Sequence, residues 1–181
     1  FKSGKDSVEV PLSVLPGTNY KATQAEYDEQ FNQLITMRDK FSEMMKAIKN
    51  IRELRQQMND FNARVGKDMP KEVKQQMDTI NKQLTAVEEA LHQTKAKSSQ
   101  DVLNFPIRLD DKLSSIYNAA AAGSAGLSMQ AKDAYAELQP LINAQLDKLK
   151  KIMTDDVGKL NQLIHEKLLP VIGVKKEEKK W

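Results

Sequence analysis

One amphipathic stripe constrains this chain more than any other feature. From Tyr27 to Val65, apolar side chains fall at Tyr27, Phe31, Leu34, Phe41, Ile48, Ile51, Leu54, Met58, Phe61 and Val65. Steps of three, four and seven residues put them on one face of a helix. No glycine or proline interrupts the run. The spacing predicts a helix of roughly 40 residues, about 60 Å long at the α-helical rise. Thr23 and Glu26 form a capping box at its start, Gly66 suits the left-handed position after its end, and Arg64 sits near the negative end of its dipole. A rod of that length cannot shelter its own stripe, so partner helices must come from the rest of the chain.

Three further helices are expected. Helix 2 begins at Asp68-Met69-Pro70, with Asp68 as cap, and carries Val73, Met77, Ile80, Leu84, Val87 and Leu91 at coiled-coil spacing. A connector from Gln100 to Phe105 leads to Pro106, which is expected to open helix 3. The apolar side of helix 3 is Ile107, Leu109, Leu113, Ile116, Tyr117 and Ala120. Helix 4 is capped by Ser128 and carries Tyr135, Leu138, Ile142, Leu146, Leu149, Ile152, Leu160, Leu163, Ile164 and Leu168. Pro140 should bend it or divide it, and Gly158 weakens it further. Leu169 to Val174 ends it, and Lys175 to Trp181 forms a charged tail.

The fold class is therefore all-α: an elongated antiparallel four-helix bundle with two long and two shorter helices, preceded by a short extended arm. Helices 2 and 3 together match the length of one long helix. An up-down-up-down path would set four helices side by side at one end and leave helices 1 and 4 as a two-helix stalk, with both termini at the stalk end. The domain reading is an arm over residues 1–20, a bundle over 21–172 and a tail over 173–181. In the arm, Val8, Val10, Leu12 and Val14 alternate with polar residues and Pro11, which is edge-strand spacing. It reads either as the last strand of an upstream β-domain or as a linker, broken at Pro16-Gly17. The chain is read as a segment of a longer protein.

Bulk properties narrow the function classes. Net charge is +3, with 28 basic and 25 acidic residues interspersed, too small an excess to indicate nucleic acid as a partner. No apolar run has the roughly 20 residues of a membrane span. Cysteine is absent, which removes disulfides and thiolate metal sites. Aromatic residues are 6% of the chain and eight Met supply core filler, a helix-bundle composition.

The run Leu84 to Lys95, continuing through Asp101-Val102-Leu103-Asn104-Phe105-Pro106-Ile107-Arg108-Leu109, resembles the C-terminal helical region of large bacterial sortilin-like proteins with BNR/Asp-box β-propellers, often labelled glycosyl hydrolases. Val14-Leu15-Pro16 and the stretch from Gln30 to Glu43 fit the same pattern. The family often carries a proline in its last helix, where this chain has Asp155-Asp156-Val157-Gly158. The resemblance implies an extracellular, periplasmic or outer-membrane-associated setting and an accessory role beside a propeller. The propeller's own Asp-box repeats do not occur here, so no activity transfers.

No chemical site is expected. Glu89-Ala90-Leu91-His92 has the Glu-x-x-His spacing of a di-iron bundle site, but Gln162 precedes His165 where a second copy needs Glu. Asp110-Asp111 and Asp155-Asp156 are adjacent, and adjacent helix residues do not face each other. Arg52, Arg55, Lys46 and Lys49 make a basic strip interrupted by Glu43, Glu53 and Asp60, which reads as a solvated face. No catalytic residue, cofactor or metal is assigned. The candidate partner surface is Asn104, Phe105 and Arg108 in the connector, with Ala119 and Ala120 in a small-residue patch. The expected function is a non-catalytic accessory domain that spaces or docks an upstream β-domain, its partners being that domain and another protein. The alternatives are a bundle covering a glycan-active propeller site, or a free-standing chaperone or lipid-binding module.

Overall fold

The computed structural model describes residues 2–15, 17, 22–98, 101, 104–123, 126–167 and 169. Its elements are strands β1 (Lys2–Ser3) and β2 (Asp6–Ser7), then helices α1 (Gln24–Val65), α2 (Lys71–Leu91), α3 (Leu109–Ala122), α4 (Met129–Lys151) and α5 (Val157–Glu166). A 3-10 turn at Gly66–Asp68 joins α1 to α2, and a π turn at Ile152–Asp156 joins α4 to α5 in one continuous rod. The fold is an all-α elongated bundle, with two long rods and two shorter helices.

The first helix keeps its expected ends. The Thr23 hydroxyl accepts the Glu26 N–H and the Glu26 carboxylate accepts the Thr23 N–H, closing the capping box. Gly66 ends the helix at φ 60°, a conformation that disfavours any side chain. The buried face is rotated from expectation in the first half. Gln30, Met37 and Met44 point inward there, while Phe31 is 63% exposed. From Ile48 onward the stripe is buried as expected at Ile51, Met58, Phe61 and Val65.

The other starts differ in detail. Asp68 does not cap α2; it lies in the 3-10 turn, and Pro70 occupies the cap position with no side-chain bond. All six expected α2 stripe residues are buried. α3 begins at Leu109 with Arg108 as its cap residue, not at Pro106, and Ile107 is exposed. Ser128 caps α4 by accepting the Ala131 N–H. Pro140 lies inside α4 without ending it. It is exposed, as is Ala136, whose carbonyl would have met the missing N–H, so water can serve that group.

With α4 and α5 counted as one rod, the described helices stand in three columns. α1 is the first. α2 and α3 both run antiparallel to it, one after the other: Arg52 and Arg55 meet Glu88 of α2, while Gln30 meets Ala120 at the end of α3. The rod of α4 and α5 runs parallel to α1. Lys132 pairs with Glu29 at the lower end, Lys40 bonds Asn143 midway, and Lys167 faces Glu72 of α2 at 3.9 Å at the upper end. This corrects the expected side-by-side quartet and two-helix stalk. Because α2 and α3 run the same way, the chain reverses direction between α1 and α2 and again between α3 and α4. The start of α1 and the end of α5 consequently lie at opposite ends.

One core cluster fills the interior from Met37 to Leu160. Along the third column the buried positions after Ala131 are Tyr135, Leu138, Ile142, Leu149, Ile152 and Leu160. Their steps are three, four, seven, three and eight. The π turn absorbs one residue of that last step and returns Leu160 to the seam. The Gln76 side chain of α2 donates to the Asp156 carbonyl at 3.2 Å, serving backbone within this turn.

Ahead of the bundle, β1 and β2 pair antiparallel, Lys2 with Ser7 and Ser3 with Asp6. Residues 8–15 carry no strand and are exposed, with Leu12 and Val14 the most so. The strand spacing of Val8 to Val14 finds no sheet among the described residues. Pro16, residues 18–21, part of the 123–126 turn, Leu168 and the tail from Pro170 lie outside the described residues.

Candidate functional site

The densest polar arrangement lies where α2 hands over to α3. α2 stops because His92 turns extended, at φ −137° and ψ 145°, while its N–H still bonds the Glu88 carbonyl at 2.8 Å. Glu88 is 5% exposed and faces α1. Its two oxygens accept from Arg52 Nε and Arg55 Nη1, each at 2.8 Å. Arg55 also donates to Asn81 at 2.9 Å and to Thr85 at 3.3 Å. Burial by itself would raise the Glu88 carboxyl, but hydrogen bonds and charge from Arg55 and Arg52 outweigh it and hold the group below the usual carboxylate range.

On the next turn His92 Nδ1 lies 2.6 Å from Asp110 Oδ2, tying the end of α2 to the first turn of α3. Asp110 is buried, and its second oxygen accepts the Asp111 N–H at 2.9 Å. A carboxylate in a first helical turn also meets the positive end of the dipole. Gln93, buried too, donates to the Pro106 carbonyl at 2.8 Å. Asp101 organises the connector. Its carboxylate accepts the N–H groups of Lys97 and Ser98, which hold it below the usual range, and its carbonyl accepts those of Asn104 and Phe105. The result is a polar clasp that fixes two end-to-end helices in one column.

The expected partner residues divide into two places. Asn104 is exposed, while Phe105 and Arg108 are half-buried beside the clasp. The Nε of Arg108 is buried with no hydrogen-bond partner among the described residues. Ala119 and Ala120 lie about 18 Å further along, near the lower end of α3. Ala119 is exposed; Ala120 faces inward, and the small patch admits Gln30 of α1, whose Nε2 reaches the Ala120 carbonyl at 2.7 Å. The structure therefore brings Asn104, Phe105 and Arg108 together and leaves the alanines apart.

Sequence reasoning missed Glu88, Gln93 and Asp110. Glu88 stands four residues after core Leu84, and Arg52 and Arg55 stand three apart on α1, a legible pairing once two helices are known to face. The Arg52 and Arg55 part of the basic strip is thus committed to α2, not simply solvated, while Lys49 pairs with Glu53 at 3.6 Å. His92 takes Asp110 and not Glu89 as its described partner. Among the described residues no three His, Cys, Asp or Glu side chains are placed to hold a metal ion.

Two concavities accompany the clasp. The larger, about 780 Å³, opens between the upper part of α1 and α5, with Met77 of α2 on its floor. It arises because α2 packs on both α1 and α5, which do not pack on each other. The Arg64 guanidinium lies 5.9 Å from the centre of the Phe61 ring in its wall. The smaller, about 330 Å³, lies between α1 and α3 around Phe41 and Tyr117. No helix among the described residues is long and apolar enough to cross a membrane. No protein-family model, curated protein or solved structure matches the chain.

Proposed function

We propose that the chain is a non-catalytic helical spacer and docking domain, standing between a β-domain joined at its arm and a second protein. The observation that carries this is the three-column rod. α1, 42 residues long, spans about 63 Å, with the arm at its lower end and the close of α5 at its upper end. The polar clasp holds two short helices as one column, so α1 is braced by the α2–α3 column along much of its length. Asn104, Phe105 and Arg108 stand at mid-height as the docking point, where a half-buried aromatic and a guanidinium are the residue types that anchor protein interfaces. The resemblance to sortilin-like propeller proteins supports a propeller as the upstream domain and an extracellular or envelope setting.

Co-purification from the full-length protein tests this reading. Replacing Phe105 and Arg108 by Asp and Glu is expected to abolish capture of the partner while the helical signal of the bundle is kept. Deletion of residues 22–169 should abolish it as well. Capture and assembly unchanged in both would overturn the proposal.

A further inference from the structure

A second stripe runs along the edge of α1 that borders α3. Phe31, Leu34, Arg38, Phe41, Met45 and Lys49 follow one another at steps of three and four, which keeps them on one side of the helix. They flank the buried positions Gln30, Met37 and Met44. Phe31 is 63% exposed, while Leu34, Phe41 and Met45 are half-buried. Arg38 and Phe41 belong to one wall of the smaller concavity, and Ser114, Tyr117 and Asn118 of α3 to the other. α4 is tied to a different side of α1, through Glu29 and Lys40. The stripe is therefore one bank of an open groove between two helices. Charge is ordered along it. Asp28 stands ahead of Phe31, Arg38 and Asp39 stand at the middle, bonded to each other at 2.7 Å, and Lys46 and Lys49 stand at the far end. All five are exposed, and Lys49 reaches Glu53 of its own helix only at 3.6 Å.

We propose that this groove takes α1 of a second copy of the chain, running antiparallel, with the two-fold axis between Arg38 and Asp39. In that register Asp28 meets Lys49 of the second copy, and Arg38 meets its Asp39. Phe31 lies beside Met45 of the second copy, and Leu34 beside its Phe41. Symmetry makes each of these contacts twice. The charges choose the direction. A parallel pair would set Asp28 against Asp28 and Lys49 against Lys49, whereas the antiparallel pair joins only opposite signs. The spacing suits such a pair, because Phe31, Arg38 and Met45 recur every seven residues with Leu34 and Phe41 between them, which is a coiled-coil seam. A polar residue at one core position of a seam fixes register at a cost in stability, and Arg38 occupies the central one. The seam is short and partly polar, so the pair separates on dilution, and unfolding in dilute solution reads the single copy alone. The two arms of the pair lie at opposite ends, so each copy would carry its β-domain away from the other's.

The absence of cysteine from the chain gives a clean test in the intact protein. Position 38 lies beside the axis, so Arg38→Cys should form a disulfide-linked dimer under mild oxidation roughly tenfold or more faster than Lys49→Cys, which faces residue 28 of the second copy. Mixing Lys49→Cys with Asp28→Cys should give the mixed dimer. In sedimentation equilibrium the parent should dimerise as its concentration rises. Phe31→Asp should stay monomeric with its helical signal unchanged, since Phe31 is exposed in the single copy. Lys49→Asp should weaken the pair about tenfold, counting two lost ion pairs and two new repulsions, and adding Asp28→Lys to it should restore the parent's affinity. A parent that remains monomeric at the highest concentration it tolerates would overturn the proposal. Equal oxidation rates for Arg38→Cys and Lys49→Cys would do the same, as would a charge swap that restores nothing.

Discussion

The side-chain amide of Gln30 donates to the main-chain oxygen of Ala120 at 2.7 Å. The same nitrogen reaches the Gly123 oxygen at 2.7 Å, so one amide on α1 serves carbonyls at the end of α3 that have no helical N–H to accept. Gln30 is itself 8% exposed. Gln30→Leu leaves those carbonyls without their donor and should cost about 1–3 kcal/mol. For a chain of this size that corresponds to a Tm lower by roughly 2–4 °C for each kcal/mol. Thermal melts followed by circular dichroism check it; a melt identical to the parent's would mean water replaces the amide without loss.

Acid should act on the bundle through Glu88. Its carboxyl lies below its ordinary value in the folded chain, because the arginine bonds outweigh burial. The unfolded chain therefore takes up that proton at higher pH. The contribution is fully present above about pH 4.5 and is lost as pH falls through the lower folded value. Urea unfolding across this range should show the parent losing stability more steeply than Glu88→Gln. Glu26 and Asp101, both also held low, remain in the variant as a common background. Parallel profiles would remove Glu88 from the acid response.

The rotated first half of α1 gives opposite outcomes at two apolar residues. Met37 is fully buried and Phe31 is 63% exposed. Met37→Ala should cost about 2–5 kcal/mol, while Phe31→Ala should stay within about 0.5 kcal/mol. Chemical denaturation of the two variants decides between this face and the one drawn through Phe31. A larger loss at Phe31 would restore the latter.

Two glycines should respond to alanine with opposite signs. Gly158 lies in α5 with open space where a side chain would go, so Gly158→Ala should stabilise by about 0.5–1 kcal/mol. Gly66 also has open space, but its φ is +60°, and Gly66→Ala should destabilise by about 1–3 kcal/mol. Paired melts check the signs. Stabilisation at both would show that the end of α1 can adopt another conformation.

Much of this architecture is legible in the amino-acid sequence, and the exceptions have physical causes. Caps and seams are local: Thr23 with Glu26, Gly66, Ser128 and the six apolar positions of α2 follow from spacing and turn chemistry alone. Phe31 and Gln30 trade their expected places because hydrophobicity ranks side chains singly. An amide becomes the better inward residue once the neighbouring helix end presents carbonyls. Glu88 and Asp110 escape notice for the same reason, since each is buried only by virtue of a partner on another helix. The path of the chain is not legible because length matching does not state direction. Helices whose lengths add up to one column can lie side by side or end to end, and only the bonds of Glu88 and Ala120 to opposite halves of α1 distinguish them.

The widened turn at Ile152–Asp156 also says which changes in chain length the rod can absorb. It holds one residue more than a regular helical turn, so loss of a single residue there would tighten the coil and leave Leu160 aimed at the same neighbours. The same loss near Ala144 would swing Leu149 and Ile152 toward solvent. Indels along the third column should accordingly be survivable at one address and damaging at the others.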